Sequence, residues 1–140
     1  LLNKVGSKIN YNKIMLKINF LHICEQTILS SDNKVSIINI FSGINVKAFP
    51  TLHSKFCVIV NTSGLAGRYN ESVEIISPDG KSIVKVEGEI EIKGEGSNNF
   101  VGNFINTPFN TEGKYWIKVM INNIPITSKD EYFILVKKLI

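Results

Sequence analysis

The chain is poor in arginine, and this shortage argues against a nucleic-acid partner. Arg68 is the only arginine among 140 residues, although the planar guanidinium fork is a preferred means of binding phosphate. The formal net charge of +4 comes mainly from Lys4, Lys8 and Lys13. From Met15 onward, 13 basic residues face 12 acidic ones. Lysines scattered in this way form a solvated surface, so we expect no nucleic-acid binding.

Cysteine and histidine are equally scarce. The two cysteines, Cys24 and Cys57, are too few for a disulfide scaffold. Together with His22 and His53 they offer four ligands for tetrahedral zinc, and the i, i+2 spacing places His22 and Cys24 on one strand face. Both cysteines lie in apolar segments, where free cysteine behaves as a small hydrophobic residue, and no Cys-x-x-Cys knuckle occurs. We therefore expect no metal and no cofactor. A Cys24–Cys57 disulfide is disfavoured because the expected compartment is reducing.

Long apolar runs are missing as well. No uninterrupted stretch approaches the roughly 20 residues of a transmembrane helix. Residues 1–14 lack the apolar core and cleavage site of a secretory leader. We therefore predict a cytoplasmic protein without a membrane partner. Residues 1–14 are polar and basic and are predicted to be a flexible or non-native extension before a single domain at 15–140.

The motifs of several enzyme classes do not occur. There is no nucleophile elbow, no phosphate-binding glycine loop and no His-Glu-x-x-His motif. Glu87, Glu89 and Glu91 resemble the paired carboxylates of glycoside hydrolysis only superficially. Acids two residues apart on a strand point the same way, and a solvated charged row also discourages edge aggregation. We interpret the row as a solvated strand face.

Acidic residues in predicted turns are the remaining candidates for a metal site. Calcium takes six to eight oxygen ligands, usually from acids clustered in sequence. The acids here stand singly or in one pair in their turns: Asp32, Asp79, Asp130 and Glu131. We interpret them as turn formers and expect no calcium.

What the chain has in abundance is isoleucine, with 22 residues against nine leucines and two alanines. β-Branched side chains pack well on pleated sheets and lose rotamer freedom in helices. No window shows a period of 3.6 residues. The clearest pattern follows the turn at Gly113 and has a period of two. It predicts a buried row and an opposite row: Tyr115, Ile117, Val119 and Ile121 against Trp116, Lys118 and Met120.

Alternating segments separated by polar turns extend along the rest of the chain. The fold class we predict is all-β, an immunoglobulin-like antiparallel β-sandwich of about seven to nine strands. The Gly-x-Tyr step at Tyr115 is typical of the entry to the penultimate strand of such sandwiches. Loops are predicted at 43–50, 62–70, 94–99 and 108–113. The segment 82–92 is predicted to be one long strand or two collinear strands with a kink at Gly88. The other predicted strands are 16–29, 35–41, 55–61, 72–76, 100–105, 114–121 and 131–137.

Several short motifs resemble a small family of uncharacterised bacterial all-β proteins known only as a domain of unknown function. The motifs are Ile23-Cys24-Glu25, the segment from Asn33 to Phe41, Ala48-Phe49-Pro50, Ser77-Pro78-Asp79-Gly80 and Glu112-Gly113-Lys114-Tyr115. The resemblance extends from Met15 to about Val136 and implies a single all-β domain. It implies no activity and no functional residues.

The function we expect is a non-catalytic module that acts by protein–protein interaction or self-association. An open sandwich has sheet edges with unpaired backbone groups that can recruit a strand. An apolar patch including Trp116 and Met120 is the other candidate. The alternative is a small-ligand or carbohydrate-binding sandwich, favoured by exposed aromatic side chains on one face. A hydrolase, favoured by a deep pocket with His22 or His53 beside acids, comes third.

Overall fold

A computed structural model describes residues 16–140, and the predicted extension at 1–14 lies outside the described residues. Strands hold 72% of the described residues, and none of these residues is helical. The all-β prediction is confirmed. This part of the chain also contains no helix that is long and apolar enough to cross a membrane.

The described residues form ten strands in two sheets. The first sheet has the antiparallel order β2-β1-β4-β7, and the second has the order β3-β10-β8-β5-β6, with β9 paired to β8. The strands are β1 Leu16–Leu29, β2 Val35–Phe41, β3 Gly43–Val46, β4 Thr51–Gly64, β5 Gly67–Ile76, β6 Ser82–Ile92, β7 Ser97–Phe109, β8 Gly113–Ile121, β9 Ile124–Pro125 and β10 Phe133–Lys138.

The core lies between the two sheets and is built by period-two alternation. In β8, Tyr115, Ile117 and Val119 are fully buried, which confirms the register predicted for this strand. The same alternation brings Phe56 and Phe104 from the first sheet into the core, where their rings stack 5.0 Å apart. Burial of large aromatic and branched side chains from both sheets supplies the main stabilisation.

One strand pair contradicts the prediction of a wholly antiparallel sandwich. The segment 43–50, predicted as an irregular link, contains the short strand β3, which pairs parallel with β10. Ile44 and Val46 alternate with exposed residues and are buried in the core. A four-residue strand gives too little pattern for a sequence-based assignment.

Three other predicted loops are too long, and the one at 94–99 includes the start of β7 at Ser97. The segment 62–70 is mostly strand, because β4 continues to Gly64 and β5 begins at Gly67, leaving only Leu65 and Ala66 between them. Both glycines have positive φ, 151° and 157°, which permits so short a connection. The predicted loop at 108–113 is also too long, since β7 runs on through Pro108 to Phe109.

The segment 82–92 is one continuous strand, β6, which is the first of the two alternatives predicted for it. β6 pairs with β5 in one continuous register past Gly88. A Cβ at Gly88 would lie 3.2 Å from the ring of Phe100, so the glycine makes room for an aromatic side chain of the facing sheet. The predicted inward row is confirmed, with Ile90 and Ile92 buried.

One of the two sheets is curled into a half-barrel, and the hairpin of β1 and β2 in the first sheet is bent. Thr27 and Leu29 of β1 and Val35 of β2 line one cleft together with Val101 and Asn103 of β7. In the sheet order β4 lies between β1 and β7, so the tip of the β1–β2 hairpin must bend over the outer face of β4. This bend explains why Cys57 and Ile59 are buried although they belong to neither core cluster.

Candidate functional site

The four candidate zinc ligands do not come together. His53 packs between the rings of Phe56 and Phe109, on the core side of the first sheet. Cys24 and Cys57 are opposite each other in register on the outer side of that sheet. Across the described residues, no three histidine, cysteine, aspartate or glutamate side chains are grouped so as to hold a metal ion.

The cysteine pair itself is a defined local structure. Both thiols are free and buried. The Cys57 thiol donates to Asn103 Oδ1 at 3.0 Å and lies 3.9 Å from the carbonyl oxygen of Glu25. Burial raises the pKa of the Cys24 thiol to about 11, and the neighbouring Cys57 contributes to this rise to a smaller extent. Cys24 is therefore a thiol and not a thiolate at neutral pH.

The acidic turn residues are occupied by their own turns. The hydroxyl of Ser30 donates to the Asp32 carboxylate and lowers its pKa, and Ser77 does the same for Asp79. Ser128 donates to Glu131 Oε1 at 2.8 Å. These are the local hydrogen bonds by which Asp, Ser and Glu stabilise turns.

Trp116 and Met120 lie on the outer face of β8. Trp116 is half-buried between Ile76 of β5 and Phe133 of β10, its neighbours in register. Lysine ammonium groups lie over both rings, with Lys118 Nζ 5.4 Å from the Trp116 centroid and Lys114 Nζ 4.6 Å from that of Phe133. The patch is therefore apolar, cationic and partly covered by its own lysines.

β7 forms an edge of the first sheet. It pairs with β4 from Ser97, opposite Ser63, to Phe109, opposite Thr51. Within the described chain it pairs with no other strand. Thirteen residues long, β7 carries no charged side chain. Charged side chains are a common means by which proteins protect exposed sheet edges, and β7 lacks them.

The edge of the second sheet formed by β6 is the opposite case. Its outward row contains Glu87, Glu89 and Glu91, as predicted, and all three are exposed. Arg68 lies 3.9 Å from Glu89 and 3.7 Å from Glu91, and Lys85 lies 3.7 Å from Glu87. Exposed ion pairs of this kind add little stability, but they keep an edge hydrated. β6 is thus an edge with a charged outward row, whereas β7 and the shorter edge strands β2 and β3 carry no charged side chain.

The outer side of β7 is lined by amides and apolar side chains. Asn61 Nδ2 donates to Asn99 Oδ1 at 2.7 Å, and Asn103 Oδ1 accepts the Cys57 thiol. Farther along, the Ile105 side chain is 67% exposed. A cleft of about 580 Å³ separates this surface from the tip of the β1–β2 hairpin. The amide donors of Asn99 and Asn103 and the face of Val101 are available to a ligand there.

A larger cleft of about 980 Å³ lies between β2, β3 and the start of β4. His53 lines it together with Glu25, Lys47 and Lys55. The Glu25 carboxylate accepts a hydrogen bond from the Asn39 amide at 3.2 Å. The His53 ring contacts Phe41, Phe56 and Phe109, and no hydroxyl or thiol nucleophile is hydrogen-bonded to it among the described residues.

The most unusual titratable group is Glu71 of β5. Its side chain is 1% exposed, and neither carboxyl oxygen has a hydrogen-bond partner in the described structure. Burial raises its pKa to about 8. Its register neighbours are Gly88 and Ile121, which provide no charge to balance a carboxylate.

Reasoning from the sequence missed both the β7 edge and Glu71. The signal for the edge was the absence of any charged residue from 97 to 109. The signal for Glu71 was its parity with Val73 and Ile75, which places it on the buried face. Because residues 62–70 were predicted to be a loop, the alternation was not followed back from Val73 to Glu71, and the burial of Glu71 was not predicted.

Comparison with known proteins gives a family but no function. A family model with the description "Family of unknown function (DUF6941)" matches residues 19–130. The match covers most of the chain and confirms the resemblance to a family of unknown function. No curated protein matches the chain.

Proposed function

We propose that this chain, which belongs to the DUF6941 family of unknown function, is a non-catalytic protein-binding module that takes up an extended segment along the edge of β7. The observation that carries the proposal is the uncharged, thirteen-residue edge strand. The charged row on β6 strengthens the argument, because the same chain protects its other long edge.

Strand addition would use the backbone of β7 for affinity and its side chains for specificity. Asn106 has a φ of 52° and Pro108 has no N–H, so the regular part of the edge ends near Ile105. A bound segment would face Asn99, Val101, Asn103 and Ile105 on the outer side. An uncharged strand with apolar residues beside Val101 and Ile105 and hydroxyl or amide side chains beside the asparagines fits this surface.

The experiment is a selection of random displayed peptides on the folded protein. Selected peptides should be extended and uncharged at their centre. Ile105→Lys, at the exposed end of the edge, should weaken their binding by about tenfold or more, because a lysine there opposes an added strand. Leu52→Lys is the matched control, since Leu52 is 64% exposed on β4, which is not an edge. It should leave binding unchanged.

Self-association through the same edge is part of this proposal. Two copies paired through β7 would form one continuous sheet of eight strands from two first sheets of four. Sedimentation over a range of protein concentrations would detect such a dimer, and Ile105→Lys should abolish it. Peptides or dimers insensitive to Ile105→Lys would contradict the role of β7.

The patch of Trp116 and Met120 is a second candidate surface. Its support is the row of apolar side chains on β8 and β10 beside Lys114 and Lys118, which suits an acidic partner. Trp116→Ala should abolish binding if this patch is the site and leave it unchanged if β7 is. The pair of Trp116 and Phe133 is also the best platform for the alternative carbohydrate-binding function, which binding to immobilised polysaccharides tests.

We also propose that the sandwich has an immunoglobulin-like topology. Tyr115 Oη donates to the carbonyl oxygen of Thr111 at 2.7 Å, as in the tyrosine corner of such sandwiches. The two-sheet order, with β8 between β5 and β10, is compatible with it. The cytoplasmic location predicted from the sequence remains an expectation, and fractionation of the source cell tests it.

A further inference from the structure

Cys24 and Cys57 stand directly opposite each other in the antiparallel register of β1 and β4. Residues so placed have Cα atoms about 4.5–5.5 Å apart. Disulfides span about 4.4–6.8 Å between Cα atoms, so no change of strand register is needed to link the pair. Both thiols are free, and each is shielded from solvent.

We propose that Cys24 and Cys57 are a redox-modification site that forms a reversible intramolecular disulfide on reaction with a small peroxide. The proposal is independent of the β7 edge. Two thiols held face to face on rigid strands form a bond with little loss of conformational freedom, whereas isolated buried thiols have no partner for this reaction.

The reaction proceeds in two balanced steps. The thiolate of one cysteine attacks an oxygen of hydrogen peroxide, the O–O bond breaks, and a sulfenic acid and hydroxide form. The hydroxide takes up the proton that the thiol released and becomes water. The second thiol then attacks the sulfenic sulfur, the S–O bond breaks, and the disulfide and a second water form. Two thiols lose two electrons and two protons in total, and the peroxide is reduced to water. A thiol reductant reverses the change by exchange.

The surroundings assign different roles to the two cysteines. Burial keeps Cys24 protonated, so it is a poor first nucleophile. Cys57 is hydrogen-bonded to Asn103, which lines the cleft beneath the hairpin tip, so a peroxide that enters this cleft reaches Cys57 first. Cys24 then resolves the sulfenic acid. Because both are buried, the first step requires the hairpin tip to move and should be slow.

The link would join β1 to β4 and close the chain between residues 24 and 57. Cross-links of this loop length restrict the unfolded chain strongly, so the oxidised protein should melt roughly 10 °C higher than the reduced protein. The hairpin that bends over β4 would be held more firmly by the same bond.

The test is treatment of the folded protein with hydrogen peroxide, followed by peptide mapping. The expected product has lost two hydrogen atoms and links the peptides of Cys24 and Cys57, and dithiothreitol restores the original mass. Cys24→Ser should accumulate a sulfenic acid at Cys57 that dimedone traps. Cys57→Ser should yield far less trapped product.

Three results would overturn the proposal. The folded chain could give only sulfinic or sulfonic acids, or only cross-links between molecules. It could form the internal link solely in denaturant, which would show that the native strands prevent it.

Discussion

Glu71 offers a sharp test of the core, because a lone carboxyl group is buried there. Substitution by glutamine keeps the shape of the protonated acid and removes its charge. Burial raises the carboxyl pKa from 4.5 to about 8 in the folded protein. Below pH 4.5 both states hold the proton, so the raised pKa has no effect on stability. As pH rises towards 8 the unfolded chain releases its proton and the folded chain retains it, so stability falls.

The magnitude follows from the size of this shift. At about 1.4 kcal/mol per pH unit, the shift corresponds to a loss on the order of 4–5 kcal/mol between pH 4.5 and pH 8. This is a large part of the total stability of a small domain, which is about 5–15 kcal/mol. Glu71→Gln should therefore match the original protein near pH 5 and be more stable by several kcal/mol near pH 9.

Urea unfolding at a series of pH values measures both proteins. Glu74→Gln is the matched control, since Glu74 lies on the same strand with its side chain on the opposite, less buried face. Its stability should follow the pH dependence of the original protein. Parallel curves for the original protein and Glu71→Gln would show that the carboxyl is solvated or paired, and would refute the reasoning.

Three further predictions, two of them with a control variant, test the core packing, a buried hydrogen bond and a turn. Ile90→Ala should lower the free energy of unfolding by about 2–5 kcal/mol because Ile90 is buried. Glu89→Ala on the opposite face should be close to neutral. Urea unfolding that reversed this order would contradict the register of β6. Thr127→Val should lower the free energy of unfolding by about 1–3 kcal/mol, because the Thr127 hydroxyl accepts a hydrogen bond from the Val119 N–H and donates one to the Ile117 carbonyl. Thr127→Ser keeps the hydroxyl and should lose much less stability in the same assay. Gly113→Ala should lower the melting temperature, since φ is 138° and the new Cβ would lie 2.7 Å from Pro78; an unchanged melting temperature would show that the turn accommodates the methyl group.

Much of the fold could be predicted from alternation alone. The long strands β1, β2 and β6 and the buried row of β8 follow from runs of apolar residues with a period of two. Their ends were missed where the pattern changes. β4 was predicted too short because Thr62 is polar yet buried, and β7 because Pro108 usually ends a strand.

The order of the strands could not be predicted from the sequence, because it depends on contacts between distant segments. No local pattern shows that β3 pairs parallel with β10 or that β7 forms an edge. The candidate site shared this difficulty. Cys24 and Cys57 could be identified as buried, but their register could not, and nothing in the sequence showed that His53 packs on the core side.

The most direct test of the central proposal is amide hydrogen exchange of β7 with and without a selected peptide. In the free protein, the N–H groups of β7 that do not bond to β4 should exchange quickly. Peptide binding should protect these amides between Ser97 and Ile105 and leave the outer face of β8 unchanged. Protection centred on Trp116, or none on β7 when the peptide is saturating, would contradict strand addition at this edge.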